Sequence, residues 1–533
     1  METNCTYLSY DQTNYFSNIV VDYINDDQKL QPFYKYPVSI EGIKQSIDPR
    51  RPFSQQRETL VQELNRQYDG IPQSAKLSAN IQSLLQPNTF TITTAHQPNI
   101  FTGPLYFIYK LLHVIKIADE LNKQLNGYHF VPVYYMGSED ADLDELGSIT
   151  VDGVQYNWQT RQTGAVGRMK VDKPFISLID AMYGQLGVLP YGDEIIQLFK
   201  KIYTIGKTIQ QATLELVNHL FGEYGLVILT PDSASLKKLF QPVIEKELKD
   251  RFSHKAVTAT LTELDKHYKV QAEGRELNLF YLLDDKRERI EVESLKFKVQ
   301  SLKLEWTEEE ILKELNAHPE RFSPNVILRG AFQETILPNV AFIGGGGELA
   351  YWLELKNVFQ AVQIPYPVLV LRNSFLLVER RYEQIIYNLG LQLEDMFHPE
   401  HELMNKIVAN RTGDKVRLNG ELQKVEDLYK EIMELASHVD ATLQEHVAAL
   451  KTKAVSRLYE LEKKILRAEK RKYQTELRQI QKIKSVLFPQ NSLQERVENI
   501  SIFYAKYGKE FIDMLLKNST AFRHEFAILC LHT

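Results

Sequence analysis

Four hydrogen-bonding side chains, His96, Gln97, Asn99 and Thr102, fall within seven residues of the stretch Thr94-Ala-His-Gln-Pro-Asn-Ile-Phe-Thr-Gly-Pro-Leu105. All can donate or accept hydrogen bonds, and a loop that only turned the chain would need none of them. The competing reading is structural: Pro98, Gly103 and Pro104 are ordinary turn residues, and His96 could be a satisfied structural histidine. A second cluster, Gly137-Ser-Glu-Asp-Ala-Asp-Leu-Asp-Glu145, places five carboxylates within seven residues. Such acids can hold Mg²⁺, grip an ammonium group, or act as acid and base. They can equally decorate a helix N-terminus, where negative charge favours the dipole. Glu139 and Asp140 are the expected site pair. Asp144 and Glu145 read as surface, and Asp142 as a cap that is retained as a binding candidate.

A third group is Gly344-Gly-Gly-Gly-Glu-Leu-Ala-Tyr-Trp352. Turn geometry needs one or two glycines, not four. A run of them lets a ligand or another backbone approach a helix N-terminus closely, the logic of phosphate-binding turns. The spacing is not that of the dinucleotide fingerprint. Arg329 and Arg372 could pair with carboxylates for structure or bind substrate anions. The lone turn Thr163-Gly-Ala-Val-Gly-Arg168 lacks the Walker lysine pattern and is weak evidence for phosphate.

The elements that must position these groups are strands and helices in alternation. Phe90–Thr94 reads as a strand, Leu105–Leu125 has helical apolar spacing, and Phe130–Met136 reads as a buried parallel strand. That is a βαβ unit, with the polar turn and the acidic loop both at carboxyl ends of strands, where α/β folds bind ligands. Gly225–Thr230 and Asn339–Ile343 read as further strands, as do Asn325–Arg329 and Pro367–Arg372. The spacing predicts helices over Tyr191–Phe221, from Ser233 to about Asp250, and from the glycine turn to Val362. Leu277–Val299 suggests an antiparallel hairpin, and Thr307-Glu-Glu-Glu310 opens a short helix. Short strands and glycine turns are expected over 148–188. Residues 1–88 read as mixed and mostly helical, with an amphipathic helix near Arg57–Tyr68 and no evident chemistry.

The fold class expected is α/β: a Rossmann-like parallel-sheet core over residues 1–380, with insertions at about 148–222 and 250–322. Residues 381–533 form an α-helical domain whose last helices return to the core. From Glu421 to Phe488 there is no glycine or proline. Leu443, Val447, Leu450, Ala454, Leu458, Leu461, Ile465 and Ala468 recur at three and four, a coiled-coil seam. Asp440 is the expected N-cap of a second helix of 45 or more residues, about 70 Å long. Such a seam needs another segment or a second copy. The basic run Arg467–Lys472 is read as a solvated face rather than a nucleic-acid site, because acids and apolar residues interleave with it.

A chain of 533 residues exceeds a single core of usual size. The net charge of −6 gives no argument for nucleic acid or an anionic membrane as partner. Two cysteines, Cys5 and Cys530, sit far apart in the chain without metal-ligand spacing, which suits a reducing cytoplasm. No signal-peptide pattern opens the sequence and no stretch approaches 18 apolar residues, so a soluble cytoplasmic protein is expected.

Five motifs in order, His96–Pro104, Gly137–Asp142, Leu328–Pro338, Gly344–Glu348 with Tyr351-Trp352, and Lys463–Arg471, resemble the cysteine ligase family of bacillithiol biosynthesis along essentially the whole chain. The resemblance implies a core related to nucleotidyltransferases and class I aminoacyl-tRNA synthetases, connecting-peptide insertions, and a coiled-coil domain that makes a homodimer. It implies joining of cysteine to the amine of glucosaminyl malate, the last step of bacillithiol synthesis. The synthetase-like second histidine is replaced by Thr102-Gly103, and Gly346 stands where the family pattern has proline.

The expected mechanism activates the cysteine carboxylate with ATP or another adenine nucleotide, with Mg²⁺ possible and no resident metal. His96, Asn99, Glu139 and Asp140 are the catalytic candidates. Gln97, Thr102, Gly103, Tyr106, Lys110, Asp142, Arg329, Gln333, Gly344, Gly345, Gly347, Glu348, Trp352 and Arg372 are the substrate- or nucleotide-binding candidates. A metal-dependent nucleotide hydrolase or nucleotidyltransferase, and a nucleotide-binding coiled-coil scaffold, are the alternatives.

Overall fold

The computed structural model describes residues 2–52, 56–270, 274–294, 296–412 and 418–532. They form two compact units, Thr3–Leu376 with Ser492–Leu529, and Leu377–Asn491 with Cys530–His532. Among the described residues no helix is long and apolar enough to cross a membrane.

The first unit is built on five parallel strands: β1 (Thr89–His96), β2 (His129–Met136), β3 (Val227–Leu229), β4 (Asn339–Gly344) and β5 (Val368–Leu371). Their order is β3-β2-β1-β4-β5, each neighbouring pair parallel. The chain therefore moves outward from β1 on one side and then restarts on the other. A crevice opens where the direction reverses, between β1 and β4, and such crevices are where open α/β sheets bind ligands. β1 is buried along its whole length despite its threonines. Their hydroxyls are satisfied inside the sheet: Thr94 donates to the Ile343 carbonyl at 2.7 Å and Thr91 to Asn339 Oδ1 at 3.2 Å. Helix α1 (Leu105–Gln124) joins β1 to β2, and α2 (Ala234–Asp250), capped by Ser233, follows β3.

The strands after Phe90, Phe130, Gly225, Asn339 and Pro367 form as the apolar patterning predicts; the segment after Asn325 does not. It is a helix, α3 (Val326–Ile336), because the Asn325 side chain accepts from the Ile327 N–H and caps its first turn. Two long predicted helices are split. Gly192–Ile202 and Ile209–Phe221 are separated by a capping box at Thr208 and Gln211. The helix after the glycine turn is α4 (Gly346–Leu353) followed by a separate Lys356–Ala361. The hairpin Ser148–Val151/Val154–Asn157 fits the expected short strands, but Lys173–Leu186 is a helix, capped by Asp172. The glycines of the Thr163–Arg168 turn are packing glycines: a Cβ on Gly164 would lie 2.3 Å from the Asp285 carbonyl oxygen, and one on Gly167 2.5 Å from that of Ser138.

In the second unit, Asn419–Val439 and Leu443–Lys470 make a helical hairpin. Asp440 caps the turn rather than the helix, accepting from the backbone N–H of Thr442 at 2.9 Å and from its hydroxyl at 2.8 Å. The single rod of 45 residues is not formed. A 3₁₀ turn at Arg471–Tyr473 interrupts it before Gln474–Leu487. The break falls in the basic run, where like charges at i,i+3 and i,i+4 oppose a continuous helix. Leu428, Leu435, Val439, Leu450 and Leu461 are exposed on this hairpin.

One buried ion pair fastens the N-terminal region of the first unit to the sheet. Arg50 meets the Glu334 carboxylate, both shielded from water, and also donates to the carbonyls of Glu334 and Pro365 at 2.7 Å each. Removing one member of such a pair strands the other charge in a dry site. Arg50→Met should therefore lower unfolding free energy by about 3–5 kcal/mol. Urea denaturation of the variant checks this, and a loss below about 1 kcal/mol, the scale of an exposed pair, would contradict it.

Candidate active site

The carboxyl ends of β1, β2, β4 and β5 surround a cavity of about 1050 Å³. β1 delivers His96 and Gln97, the loop after β2 delivers Glu139 and Asp140, the turn after β4 delivers Gly345–Glu348, and Arg372 follows β5. Tyr106 and Lys110 reach it from α1 and Arg329 from α3. The three loops singled out by residue type thus converge on one space.

His96 is the last residue of β1. Its ring stacks on Phe107 with centroids 5.0 Å apart and meets the edge of Tyr106 at 5.3 Å. Its Nε2 is buried with no hydrogen-bond partner. Burial, reinforced by the positive charges of Lys110, Arg372 and Arg329, holds its pKa well below the ordinary value. The imidazole is neutral, so it is a hydrogen-bonding group and not a cation.

Across from it lies the glycine turn. A Cβ on Gly344 would come within 3.0 Å of Phe342 and one on Gly346 within 3.2 Å of Val20, so those two are glycine for packing. Gly345 and Gly347 line the cavity; a Cβ on Gly347 would meet nothing within 4 Å. Glu348 accepts from the Gly345 N–H at 2.9 Å and is ion-paired with buried Lys110, which donates to the Ala95 carbonyl at 3.0 Å. Burial lowers the Lys110 pKa in spite of that carboxylate. Arg372 is held by Glu495 at 2.6 Å and by Ser374 at 2.9 Å, which occupies both its terminal nitrogens. Its Nε is buried without a partner and would lie 3.6 Å from a Cβ at Gly345. The guanidinium sits over Tyr106, whose own pKa burial pushes up to about 12.

The acidic side is divided. Glu139 is ion-paired with buried Lys237 and accepts from Ser323 Oγ at 2.9 Å. Lys237 is shared with Asp232, 3.6 Å away, which in turn takes a two-point contact from Arg168 at 2.6 and 2.7 Å. Asp140 is only half-buried and accepts from Gln97 at 3.1 Å. Lys237 did not stand out in the sequence, although a lysine between Leu236 and Phe240 on the apolar face of α2 was the available signal. The hairpin Leu279–Leu283/Lys286–Arg289 forms within the expected Leu277–Val299, but its part in the cavity wall, through Phe280, Arg287 and Arg289, did not stand out. Arg287 lies 3.9 Å over the Phe280 ring. Its signal was two arginines at i,i+2 on one face of a strand.

Seven candidates do not line the cavity: Asn99, Thr102, Gly103, Asp142, Gln333, Gly344 and Trp352. Asn99, Thr102 and Gly103 belong to a tightly wound turn in which Phe101 and Thr102 have φ of 49° and 73°. Asn499 clasps that turn, donating to the carbonyls of Phe101 at 2.8 Å and Gly103 at 2.5 Å. Asp142 is exposed and caps Leu143–Leu146, accepting from the Glu145 N–H at 3.2 Å. Gln333 is buried and donates to Glu334, and Trp352 stacks on Phe342 at 4.3 Å in the core.

Two outcomes are expected. Gly347→Ala should leave thermal stability unchanged or slightly higher, because helical alanine is better than glycine by up to about 1 kcal/mol. Its methyl has open space at the cavity wall, so affinity for a phosphate or carboxylate probe at this turn should fall roughly tenfold or more. Unchanged affinity in calorimetric titration would remove the turn from the binding surface. His96 also makes stability depend on pH. Its folded pKa lies below 6.5, so on acidification the unfolded chain binds the proton first and stability falls as pH drops below about 6.5. His96→Asn should flatten that slope in denaturant titrations between about pH 5 and 7, where the unfolded histidine titrates; an unaltered slope would contradict the neutral, buried ring.

Residues 1–373 match the family model for the N-terminal Rossmann-like domain of the bacillithiol biosynthesis protein BshC, and residues 375–531 match that for its C-terminal coiled-coil domain. The chain is 37% identical over 531 residues to a Flavobacterium johnsoniae protein named "Putative cysteine ligase BshC", covering 99% of this chain and 100% of that one. It is 37% identical over 536 residues to the protein of the same name from Christiangramia forsetii, covering 99% of each, and 38% identical over 518 residues to that of Flavobacterium psychrophilum, covering 97% of each. With both domains matched in order and relatives aligned end to end, the chain belongs to the BshC family of bacillithiol biosynthesis.

Proposed function

We propose that this chain is a ligase that joins the carboxylate of L-cysteine to the amine of glucosaminyl malate, the last step of bacillithiol synthesis, with carboxylate activation by a nucleotide. Membership of a family whose members are named cysteine ligases supports the reaction type. One structural observation carries the site assignment: His96 Nε2 and Arg372 Nε are both buried without partners beside the Gly345–Gly347 turn. Unpaired buried polar atoms at a cavity wall are costly unless a ligand completes them.

A carboxylate is a poor electrophile, and an adenine nucleotide, when bound, would supply the activation that amide formation needs. The residues that fit its phosphates are those of the anion-facing wall: the first-turn N–H groups of α4 at Gly346 and Gly347, Arg372 Nε, and the neutral ring of His96. A neutral imidazole can donate to developing negative charge without competing for a proton, the role its lowered pKa favours over that of general acid. Asp140 lines the cavity with a carboxylate that has no ion-pair partner among the described residues, and so suits the α-ammonium of cysteine. Glu139, already neutralised by Lys237, holds the wall in place and is poorly suited to Mg²⁺. For the malyl carboxylates we favour Arg329, which donates to Tyr351 at 2.8 Å, with Arg287 and Arg289, among the arginines that line the cavity. Arg372 offers only its Nε and cannot present a fork to them. The exposed leucines of the helical hairpin support pairing of two copies there.

The test is mass spectrometry of a reaction containing cysteine, glucosaminyl malate and ATP, with each omitted in turn. The amide product should form only in the complete mixture. His96→Ala should lose it while retaining the circular dichroism of the wild type. Wild-type turnover by that variant would overturn the role of His96, and product without ATP would overturn nucleotide activation.

A further inference from the structure

A second group of ligand-capable side chains lies in the other unit, away from everything the ligase reading uses. Glu383 is the fourth residue of the helix Arg380–Asn388. Cys530 and His532 end the strand Phe526–His532, two residues apart and hence on one side of it. A carboxylate oxygen of Glu383, the sulfur of Cys530 and a ring nitrogen of His532 all lie within 4.8 Å of one another. Glu383 and Cys530 are buried and His532 is about a quarter exposed.

We propose that Glu383, Cys530 and His532 form a binding site for a divalent transition metal, zinc being the ion they suit. The contact between His532 and Glu383 argues for this over a simple ion pair. Their Nε2 and Oε2 atoms are 3.0 Å apart, yet Nε2 has no hydrogen-bond partner, so the two are close without being aligned as donor and acceptor. Ligands that converge on a common ion stand in that relation. Zinc–ligand bonds of about 2.0–2.3 Å in a tetrahedron place ligand atoms roughly 3–4 Å from one another, within the observed limit. One sulfur, one nitrogen and one oxygen is a borderline-soft donor set, which favours Zn²⁺ over the hard, oxygen-seeking Mg²⁺ and Ca²⁺. Three protein ligands leave a fourth position for water.

Binding requires loss of the Cys530 thiol proton to solvent and an unprotonated His532 nitrogen, so affinity rises with pH. The ion would tie the end of the last strand to the helix Arg380–Asn388, and the two would be held by coordination as well as by packing. The site is independent of the ligase reading, since none of its residues lines the cavity between the strand ends.

The experiment uses full-length protein carrying Cys5→Ser, which leaves Cys530 as its one thiol, stripped of metal and titrated with Co²⁺. We expect one equivalent per chain, with the near-ultraviolet thiolate-to-cobalt charge-transfer band and strong visible bands of a tetrahedral site, displaced by Zn²⁺. His532→Ala and Glu383→Gln should each weaken Co²⁺ binding roughly 100-fold, at least as much as losing a supporting outer-shell residue. Zn²⁺ should raise the thermal midpoint of the parent and not of His532→Ala. Absence of the charge-transfer band in Cys5→Ser protein of native circular dichroism overturns the proposal, as does unchanged Co²⁺ affinity in His532→Ala. Because His532 is partly exposed, that variant carries the test even if Cys530→Ser fails to fold.

Discussion

Arg372 and Glu495 meet out of reach of water at the end of the last sheet strand, and the pocket depends on that meeting. Burial alone would lower the pKa of the guanidinium; the carboxylate beside it raises it on balance, so the charge persists. The second oxygen of Glu495 accepts from the Phe375 N–H at 3.3 Å, fixing the backbone where the strand gives way to the next segment. With both terminal nitrogens engaged, only Nε is left over, and it is aimed by the same constraint that anchors the side chain. Breaking such a pair from one side costs about 3–5 kcal/mol, more than most single contacts in a protein of ordinary stability.

Around that fixed charge the cavity has two chemically different walls. One is glycine-rich and carries compensated cations beside the start of α4, Lys110 paired with Glu348 and Arg372 with Glu495, with His96 kept neutral by burial and by its positive neighbours. The other is acidic but largely compensated: Lys237 is ion-paired with Glu139 and Ser323 donates to it, while Asp140 accepts from Gln97 and from the Asp142 N–H. The inserted hairpin closes the space with Phe280 and its arginines.

Much of this was legible in the amino-acid order, for physical reasons. Buried parallel strands read as apolar runs, and four of the sheet's strands are of that kind; β1 is the exception, where threonines are tolerated because neighbouring carbonyl and amide groups accept from them. Strand ends marked by His96, the acidic loop and the glycines were visible because their residue types break sharply from the buried strands that precede them. Three things were not visible. Asn325–Arg329 has the composition of a strand, and only the capping bond of Asn325 decides for a helix. Asn99, Thr102 and Gly103 look like site residues, but the turn that carries them lies outside the cavity lining and is held by Asn499, almost 400 positions away along the chain. Lys237 reaches Glu139, and Arg287 the pocket, from distant segments, and no local pattern announces a partner that tertiary folding supplies.

The clasp by Asn499 and the anchor by Glu495 have a consequence for how the protein comes into being. Both come from the segment that re-enters the first unit only after the whole helical unit has been synthesised. A chain still on the ribosome short of Glu495 can hold all five strands and the glycine turn, yet its Arg372 lacks a counter-charge and the turn after β1 lacks its clasp. The pocket is therefore finished last, and competence of the site is tied to completion of the helical unit that interrupts its own domain.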